Sequence, residues 1–159
     1  MNYKKNSPNI LILDVDGVMT TSKFLYSEKG KVFKVFGAHD SDGLKMIKKY
    51  IKILFVSADK RGFKISKKRI QDDLGYKIKF VSAEKRYDFI KKMDLRKVIY
   101  MGDGIFDKKI LSDCLYGIAP KNARVEARKA ADFVTNSNSG EGAVLDACIQ
   151  IIKKYFNNV

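Results

Sequence analysis

The sequence has little of what would place it in several large protein classes. It contains no tryptophan, one histidine, two cysteines and two prolines. It has no apolar run of roughly 18 residues, the length that a membrane helix needs, and its first nine residues lack an apolar segment of signal-peptide length. Since neither kind of apolar segment is present, we expect no association with a membrane. Cys114 and Cys148 form no CxxC pair, so we expect two buried thiols in a reducing cytoplasm.

Acidic residues are also scarce, with 18 Asp and Glu against 32 Lys and Arg, which gives a formal net charge of +14. Such a charge can indicate binding to nucleic acid or to a membrane surface. The lysines, however, are scattered along the chain, and neither an RNA-binding aromatic motif nor zinc-finger spacing occurs. We therefore expect no nucleic-acid partner, and interpret the charge as a Lys-rich background that favours anionic substrates.

The length and the apolar content indicate one globular domain. A chain of 159 residues that is 45% hydrophobic can bury a core of its own. No internal repeat or linker divides it, so residues 1–159 are predicted to form a single domain.

Two of the few acids stand together after the most apolar stretch of the N-terminal half. Residues 10–14 (ILILD) are predicted to form a strand that is buried on both faces and ends in Asp14, and Asp16 and Gly17 follow after Val15. An ionised Asp can attack phosphorus when a divalent cation relieves the repulsion, and a second Asp can act as general acid and base. The alternative is that Asp14 and Asp16 only cap the turn.

A second strand also ends in acids. Residues 98–101 (VIYM) are followed by Gly102, Asp103 and Gly104, and Asp107 comes four residues after Asp103. Because the ligand of an open α/β sheet sits at the carboxyl ends of the strands, these acids are expected to complete a metal site with Asp14 and Asp16.

Other candidate residues follow the remaining strands. Ser57, at the end of a strand predicted over 51–56, has a hydroxyl that can donate to phosphate. Lys85, after a strand over 76–81, is either a phosphate-binding cation or an ordinary surface lysine. In the polar loop 37–43, Asp40 or Asp42 is predicted to cap the next helix, and His39 is either near the substrate or structural.

The rest of the chain alternates strands and helices. Further strands are predicted over 115–119 and 132–135, and helices over 62–74, 84–93 and 143–156. This alternation predicts a three-layer α/β/α sandwich with a mainly parallel, Rossmann-like sheet.

Residues 21–36 are predicted to form a projecting β-hairpin, with Gly30 at the turn. The hairpin is rich in aromatic residues, so either a partner subunit or its own domain must cover them.

The ordered set of motifs resembles the four motifs of the haloacid dehalogenase (HAD) superfamily of phosphatases. The resemblance rests on DVDGV, Ser57, Lys85, and Asp103 with Asp107. The hairpin, HDSDGLKMI and SGEGAV resemble the capless branch that includes the 3-deoxy-D-manno-octulosonate (KDO) 8-phosphate phosphatases. The resemblance runs over nearly the whole chain, and it implies a HAD fold without a cap domain.

The resemblance also implies roles for individual residues. Asp14 is the expected nucleophile that forms an aspartyl-phosphate, and Asp16 is the expected general acid and base. A Mg²⁺ cofactor is expected on Asp14, the backbone carbonyl of Asp16, Asp103 and Asp107, the last of which supports either the site or the Lys. Ser57, with the adjacent Ala58, is expected to bind the transferring phosphoryl group, and Lys85 to neutralise it.

Family members are tetramers in which neighbouring subunits close each active site, which would account for the aromatic hairpin. The expected substrate is a small sugar phosphate like those of lipopolysaccharide biosynthesis.

Three departures from the family pattern leave the substrate open. SADKRG stands where the family has Thr-Gly-Arg, with Lys60 or Arg61 as a replacement for the Arg. Gly104 stands at a second acid, and His39 stands where many members have Arg. These departures also motivate an alternative: a degenerate member that binds a phosphorylated ligand or a protein partner without turnover.

Overall fold

The computed structural model describes residues 7–156 and contains a central sheet of six parallel strands. In chain order these strands are β1 (Ile10–Asp14), β4 (Lys52–Ser57), β5 (Lys77–Phe80), β6 (Val98–Met101), β7 (Tyr116–Ala119) and β8 (Phe133–Val134). Two further strands, β2 (Thr20–Ser27) and β3 (Gly30–Phe36), form a separate antiparallel hairpin. The six strands of the central sheet were predicted from the sequence to within one residue at either end, and the hairpin was predicted as one element over 21–36.

Within residues 7–156, five helices connect the strands and a sixth follows the last strand. They are α1 (His39–Ile47), α2 (Phe63–Lys67), α3 (Ala83–Lys91), α4 (Lys108–Asp113), α5 (Val125–Ala130) and α6 (Ala143–Tyr155). A π-helical segment, Lys68–Asp73, continues α2 to the end of the predicted helix. In the part of the chain that the structure describes, none of the helices combines the length and the apolarity needed to cross a bilayer.

The sheet is covered on both faces, as a parallel sheet must be. Successive side chains of a strand point to opposite faces, so Leu11 and Leu13 of β1 pack on one side and Ile12 packs on the other. Side chains from α1, α6 and the π-helical segment complete the first core. Side chains from α3, α4 and α5 complete the second. The predicted three-layer sandwich is therefore confirmed.

The strand order places a crevice at the end of β1. The order is β5-β4-β1-β6-β7-β8, so the chain builds outward from β1 first on one side and then on the other. Ligands of open α/β sheets bind at such a reversal, outside the carboxyl ends of the strands. Asp14 ends β1 and Ser57 ends β4, while Asp103 follows β6 by two residues.

The hairpin carries a cluster of exposed apolar side chains. Six of them belong to one two-stranded element: Phe24, Leu25, Tyr26, Val32, Phe33 and Val35. We call this set the hairpin surface. A two-stranded hairpin cannot bury such a set by itself.

The position of Asp40 shows that the helix cap predicted in this region was wrong. We expected Asp40 or Asp42 to cap the helix that follows them, but α1 already begins at His39 and has no side-chain cap. The fully buried Asp40 carboxylate instead accepts hydrogen bonds from the backbone N–H groups of Val144 (2.8 Å) and Gly142 (3.4 Å), at the start of α6. One helix thus supplies the N-terminal cap of another helix about a hundred residues away.

Candidate active site

Asp14 and Arg86 form the centre of the crevice. The side chain of Asp14, at the end of β1, is 9% exposed, and that of Arg86, in the first turn of α3, is 4% exposed. Arg86 Nη1 donates to Asp14 Oδ2 (2.5 Å), and the backbone N–H of Val15 donates to Asp14 Oδ1 (2.8 Å). The carboxylate therefore has a fixed orientation with a permanent positive charge beside it.

Asp103 approaches Asp14 from the next strand. It lies directly against Gly17, where a Cβ atom would overlap the Asp103 carboxylate. Gly17 also has a φ of +83°, a conformation that other residues rarely adopt. The Gly that follows the DxD motif is thus required both for the turn and for the close approach of the third acid.

Asp107 organises the loop after β6. One of its oxygens accepts from the hydroxyl of Tyr100 (2.6 Å) and from Arg86 (3.0 Å). The other accepts from the backbone N–H groups of Asp103 (3.1 Å) and Gly104 (2.8 Å). Because both oxygens already have two donors, Asp107 is suited to holding Arg86 and the loop in place.

Crowding of acids makes this crevice strongly electronegative. Carboxylate oxygens of Asp14, Asp103 and Asp107 all lie within 4.8 Å of one another. Burial, opposed by Arg86 and reinforced by Asp107 and Asp103, raises the pKa of Asp14 to about 8. Burial, reinforced by Asp107, likewise raises the pKa of Asp103 to about 7. A hard divalent cation would relieve this repulsion, and the all-oxygen donor set fits Mg²⁺.

Asp16 faces away from this cluster, toward the hairpin. Its carboxylate is 2.8 Å from the ammonium of Lys34, a β3 residue whose side chain is completely buried. The hydroxyl of Ser57 lies 3.4 Å from the same carboxylate. The structure therefore brings Asp14, Asp16, Ser57, Asp103 and Asp107 together at one edge of the sheet, as the sequence predicted.

A pocket of about 320 Å³ opens onto two of these residues, Asp14 and Asp16. Seven residues line it: Asp14, Asp16, Phe24, Lys31, Ala58, Asp59 and Arg86. We call Asp14, Asp16 and Arg86 its inner end, and Phe24, Lys31, Ala58 and Asp59 its outer end.

Lys85 does not occupy the position predicted for it. Its side chain is exposed and lines a different pocket, together with Phe80 and Phe89. The positive charge beside Asp14 is that of Arg86, whereas the sequence analysis expected Lys85 to neutralise the phosphoryl group there. The physical reason is the phase of α3, because neighbouring helix positions point about 100° apart.

Two further candidates lie outside the pocket. Lys60 and His39 are both exposed, and neither lines the pocket beside Asp14. The positive charges at its outer end come instead from the hairpin, through Lys31 and Lys34.

Arg86 and Lys34 are the main site residues that sequence reasoning missed. Arg86 could have been identified from the sequence, because it is the only arginine in the first helical turn after the strand predicted over 76–81. Lys34 could not have been identified from the sequence, since it stands among apolar residues on a hairpin strand and the chain has many lysines.

Comparison with known proteins finds phosphatases that are similar to this chain. A family model described as haloacid dehalogenase-like hydrolase matches residues 89–147. The 3-deoxy-D-manno-octulosonate 8-phosphate phosphatase of Haemophilus influenzae is 28% identical over 160 residues, covering 96% of this chain and 87% of the relative.

Solved structures agree with the sequence relatives. The cobalt-bound phosphatase of that name from H. influenzae superimposes with a TM-score of 0.79 at 26% identity, covering 93% of this chain and 89% of the other. The Moraxella catarrhalis enzyme, in complex with magnesium, phosphate and KDO, gives a TM-score of 0.81 at 25% identity, covering 93% and 87%.

Proposed function

Since the chain belongs to the haloacid dehalogenase superfamily and is a phosphoric monoester hydrolase, we propose that its substrate is a small phosphorylated sugar or sugar acid of the KDO 8-phosphate type. The observation that carries this proposal is the convergence of Asp14, Asp103 and Arg86 in one crevice. The phosphatases that this chain resembles act, by their names, on KDO 8-phosphate.

The proposed reaction uses two carboxylates in sequence. An oxygen of Asp14 attacks phosphorus, the bond to the sugar oxygen breaks, and Asp16 gives a proton to the leaving oxygen. Water then attacks the aspartyl-phosphate, with Asp16 taking its proton, and inorganic phosphate and the free Asp14 carboxylate are released. Asp16 suits this role because it lines the pocket and lies outside the cluster of Asp14, Asp103 and Asp107.

Arg86 and Ser57 are proposed to bind the transferring phosphoryl group. Arg86 offers a fixed positive charge, and its Nε is buried without a hydrogen-bond partner. When bound, Mg²⁺ would be held by Asp14, Asp103 and the backbone carbonyl of Asp16, and would screen the negative charge that the nucleophile and phosphate share. Asp107 would support Arg86 and the loop.

We also propose a cytoplasmic homotetramer whose subunits meet at their hairpins. The hairpin surface supports the assembly, since an isolated hairpin leaves these apolar side chains in water. The two free cysteines, one buried and one half-buried, are consistent with a reducing compartment.

The test is phosphate release from KDO 8-phosphate, from other sugar phosphates and from 4-nitrophenyl phosphate. We expect the wild type to release phosphate with Mg²⁺ and to stop after chelation. Asp14→Asn keeps the size of the side chain but removes the nucleophilic charge, so it should abolish release of phosphate from every substrate.

Strong activity in Asp14→Asn would contradict the proposed mechanism. A wild type that is stabilised by sugar phosphates in thermal melts yet releases no phosphate would instead indicate a binding protein.

A further inference from the structure

The outer end of the pocket is built from residues that have no part in the chemistry proposed above. Phe24 and Lys31 come from the hairpin, and Asp59 comes from the loop after β4. Asp14 lines the same pocket. The leaving group of a phosphate ester bound at Asp14 would therefore lie in a pocket that these three side chains also line.

Asp59 is held firmly in place. Its carboxylate accepts from the backbone N–H of Gly62 (3.1 Å), and its own backbone N–H donates to Ser57 (3.2 Å). A Cβ atom on Gly62 would overlap the Asp59 carboxylate, so this turn is closely packed. Burial alone would raise the pKa of Asp59, but hydrogen bonds from Lys31 and Lys34 outweigh it and lower the pKa to about 2. Asp59 is therefore ionised at neutral pH.

Lys31 connects Asp59 to the aromatic ring. Its ammonium donates to Asp59 and also lies 3.5 Å from the centroid of the Phe24 ring. The Lys31 side chain is 5% exposed and that of Asp59 is 15% exposed. The outer end thus presents a fixed ion pair next to a half-exposed aromatic face.

This end has no uncommitted positive charge. Lys34 uses all three of its N–H groups, on Asp16 (3.0 Å), Asp59 (2.9 Å) and Ser66 (2.7 Å). Lys31 is neutralised by Asp59. A carboxylate next to the phosphate-bearing carbon would meet Asp59, whereas a hydroxyl can both donate to Asp59 and accept from Lys31.

We propose that Phe24, Lys31 and Asp59 form a leaving-group subsite that binds the hydroxyl groups of an uncharged polyol segment adjoining the phosphate. Asp59 accepts from one hydroxyl, Lys31 donates to the next, and Phe24 packs against the carbon chain. This subsite rests on the proposed function, and it narrows the substrate class to phosphates of polyhydroxylated chains.

The test compares two esters that differ only in their hydroxyls: ribitol 5-phosphate and n-pentyl phosphate. We expect wild-type kcat/KM to be at least tenfold higher for ribitol 5-phosphate. The preference is limited, because Lys31 and Asp59 remain paired with each other when no hydroxyl is present.

Asp59→Asn and Lys31→Met should each reduce this preference at least fivefold, mainly through a higher KM for ribitol 5-phosphate. The double variant Lys31→Met/Asp59→Leu removes the ion pair without leaving a lone charge, and should abolish the preference. Lys29→Met is the matched control, since Lys29 is exposed in the hairpin turn and does not line the pocket.

The outcomes separate the two proposals. If the wild type releases phosphate from no ester, including 4-nitrophenyl phosphate, the proposed function fails and the subsite fails with it. If the wild type is active but shows no preference, or the variants keep it, only the subsite is overturned. Equal losses on both esters in the variants overturn it too, because they indicate a purely structural role.

Discussion

At the scale of single residues, the central feature of the site is the set of side-chain hydrogen bonds that Arg86 makes. It lies between Asp14 and Asp107 and also donates to the hydroxyl of Tyr100 (3.3 Å). Its planar guanidinium can address several oxygens at once, which a lysine ammonium on a flexible stem does less well. A buried arginine in this position both orients the carboxylates and presents charge to an incoming anion.

The first prediction distinguishes Arg86 from its neighbour. Arg86→Met should lower kcat/KM for a phosphate ester about 100-fold or more, because a preorganised donor to the phosphoryl group is lost. Lys85→Met should cost less than about tenfold, since Lys85 points into another pocket. Steady-state kinetics measure both, with circular dichroism to check folding. If Lys85→Met lowers kcat/KM more than Arg86→Met does, Lys85 and not Arg86 is the residue that binds the phosphoryl group.

At this scale the sequence predicted residue types better than residue positions. Asp14 with Asp16, and Asp103 with Asp107, were identifiable because each pair stands at or shortly after the end of a buried strand. The choice between Lys85 and Arg86 was not, because the start of α3 sets which of two adjacent side chains faces the crevice. A shift of one residue turns a helix by about 100°, and neither periodicity nor composition fixes that phase.

At the scale of elements, the packing of α1 on α6 is very close. A Cβ atom on Gly43 of α1 would overlap the backbone of Leu145 in α6. This contact brings Asp40 to the start of α6, where it satisfies N–H groups that would otherwise be buried without partners. The interface thus combines apolar packing with a charged cap.

The second prediction compares the two acids of α1. Asp40→Ala should lower the free energy of unfolding by about 2 kcal/mol, because buried N–H groups at the start of α6 lose their acceptor. Asp42→Ala should cost less than about 0.5 kcal/mol, because Asp42 makes only an exposed ion pair with Lys45. Urea unfolding of both variants measures the difference. Equal costs would contradict the assigned cap.

Elements differed in how well the sequence predicted them. The buried strands were recognised because they are continuous apolar runs bounded by turn residues. The two short helices α4 and α5 were missed, since six residues are too few to show a helical period. The cap on α6 was assigned to the wrong helix because local rules pair a cap with the helix that follows it, whereas this contact is made by tertiary packing.

At the scale of the whole molecule, the hairpin has two functions in the proposals made here. Phe24 and Lys31 line the active-site pocket and Lys34 contacts Asp16 beside it, while Phe24 also belongs to the hairpin surface. An assembly that covers the hairpin surface would therefore also restrain the wall of the pocket. We expect assembly and activity to be linked for this reason.

The third prediction tests that assembly. The wild type should run as a tetramer in light scattering after size exclusion, and Phe33→Glu should shift it toward monomers, because a charge cannot be buried cheaply at an apolar contact. Raising the salt concentration should favour the tetramer, since it screens repulsion between chains of net charge +14. Ile149→Glu, at an exposed apolar position outside the hairpin, is the control. A monomeric wild type would contradict the proposal.

The capping of α6 by Asp40 has a consequence for how the protein is made. During synthesis on a ribosome, the first helix emerges about a hundred residues before the segment that supplies its N–H donors. Until then, the nascent chain has a hydrated Asp40 carboxylate beside an uncovered apolar face, and exposed apolar surface is what chaperones bind. The sheet can pair strand by strand as it leaves the exit tunnel, but this side of it is closed only by the last helix to be translated.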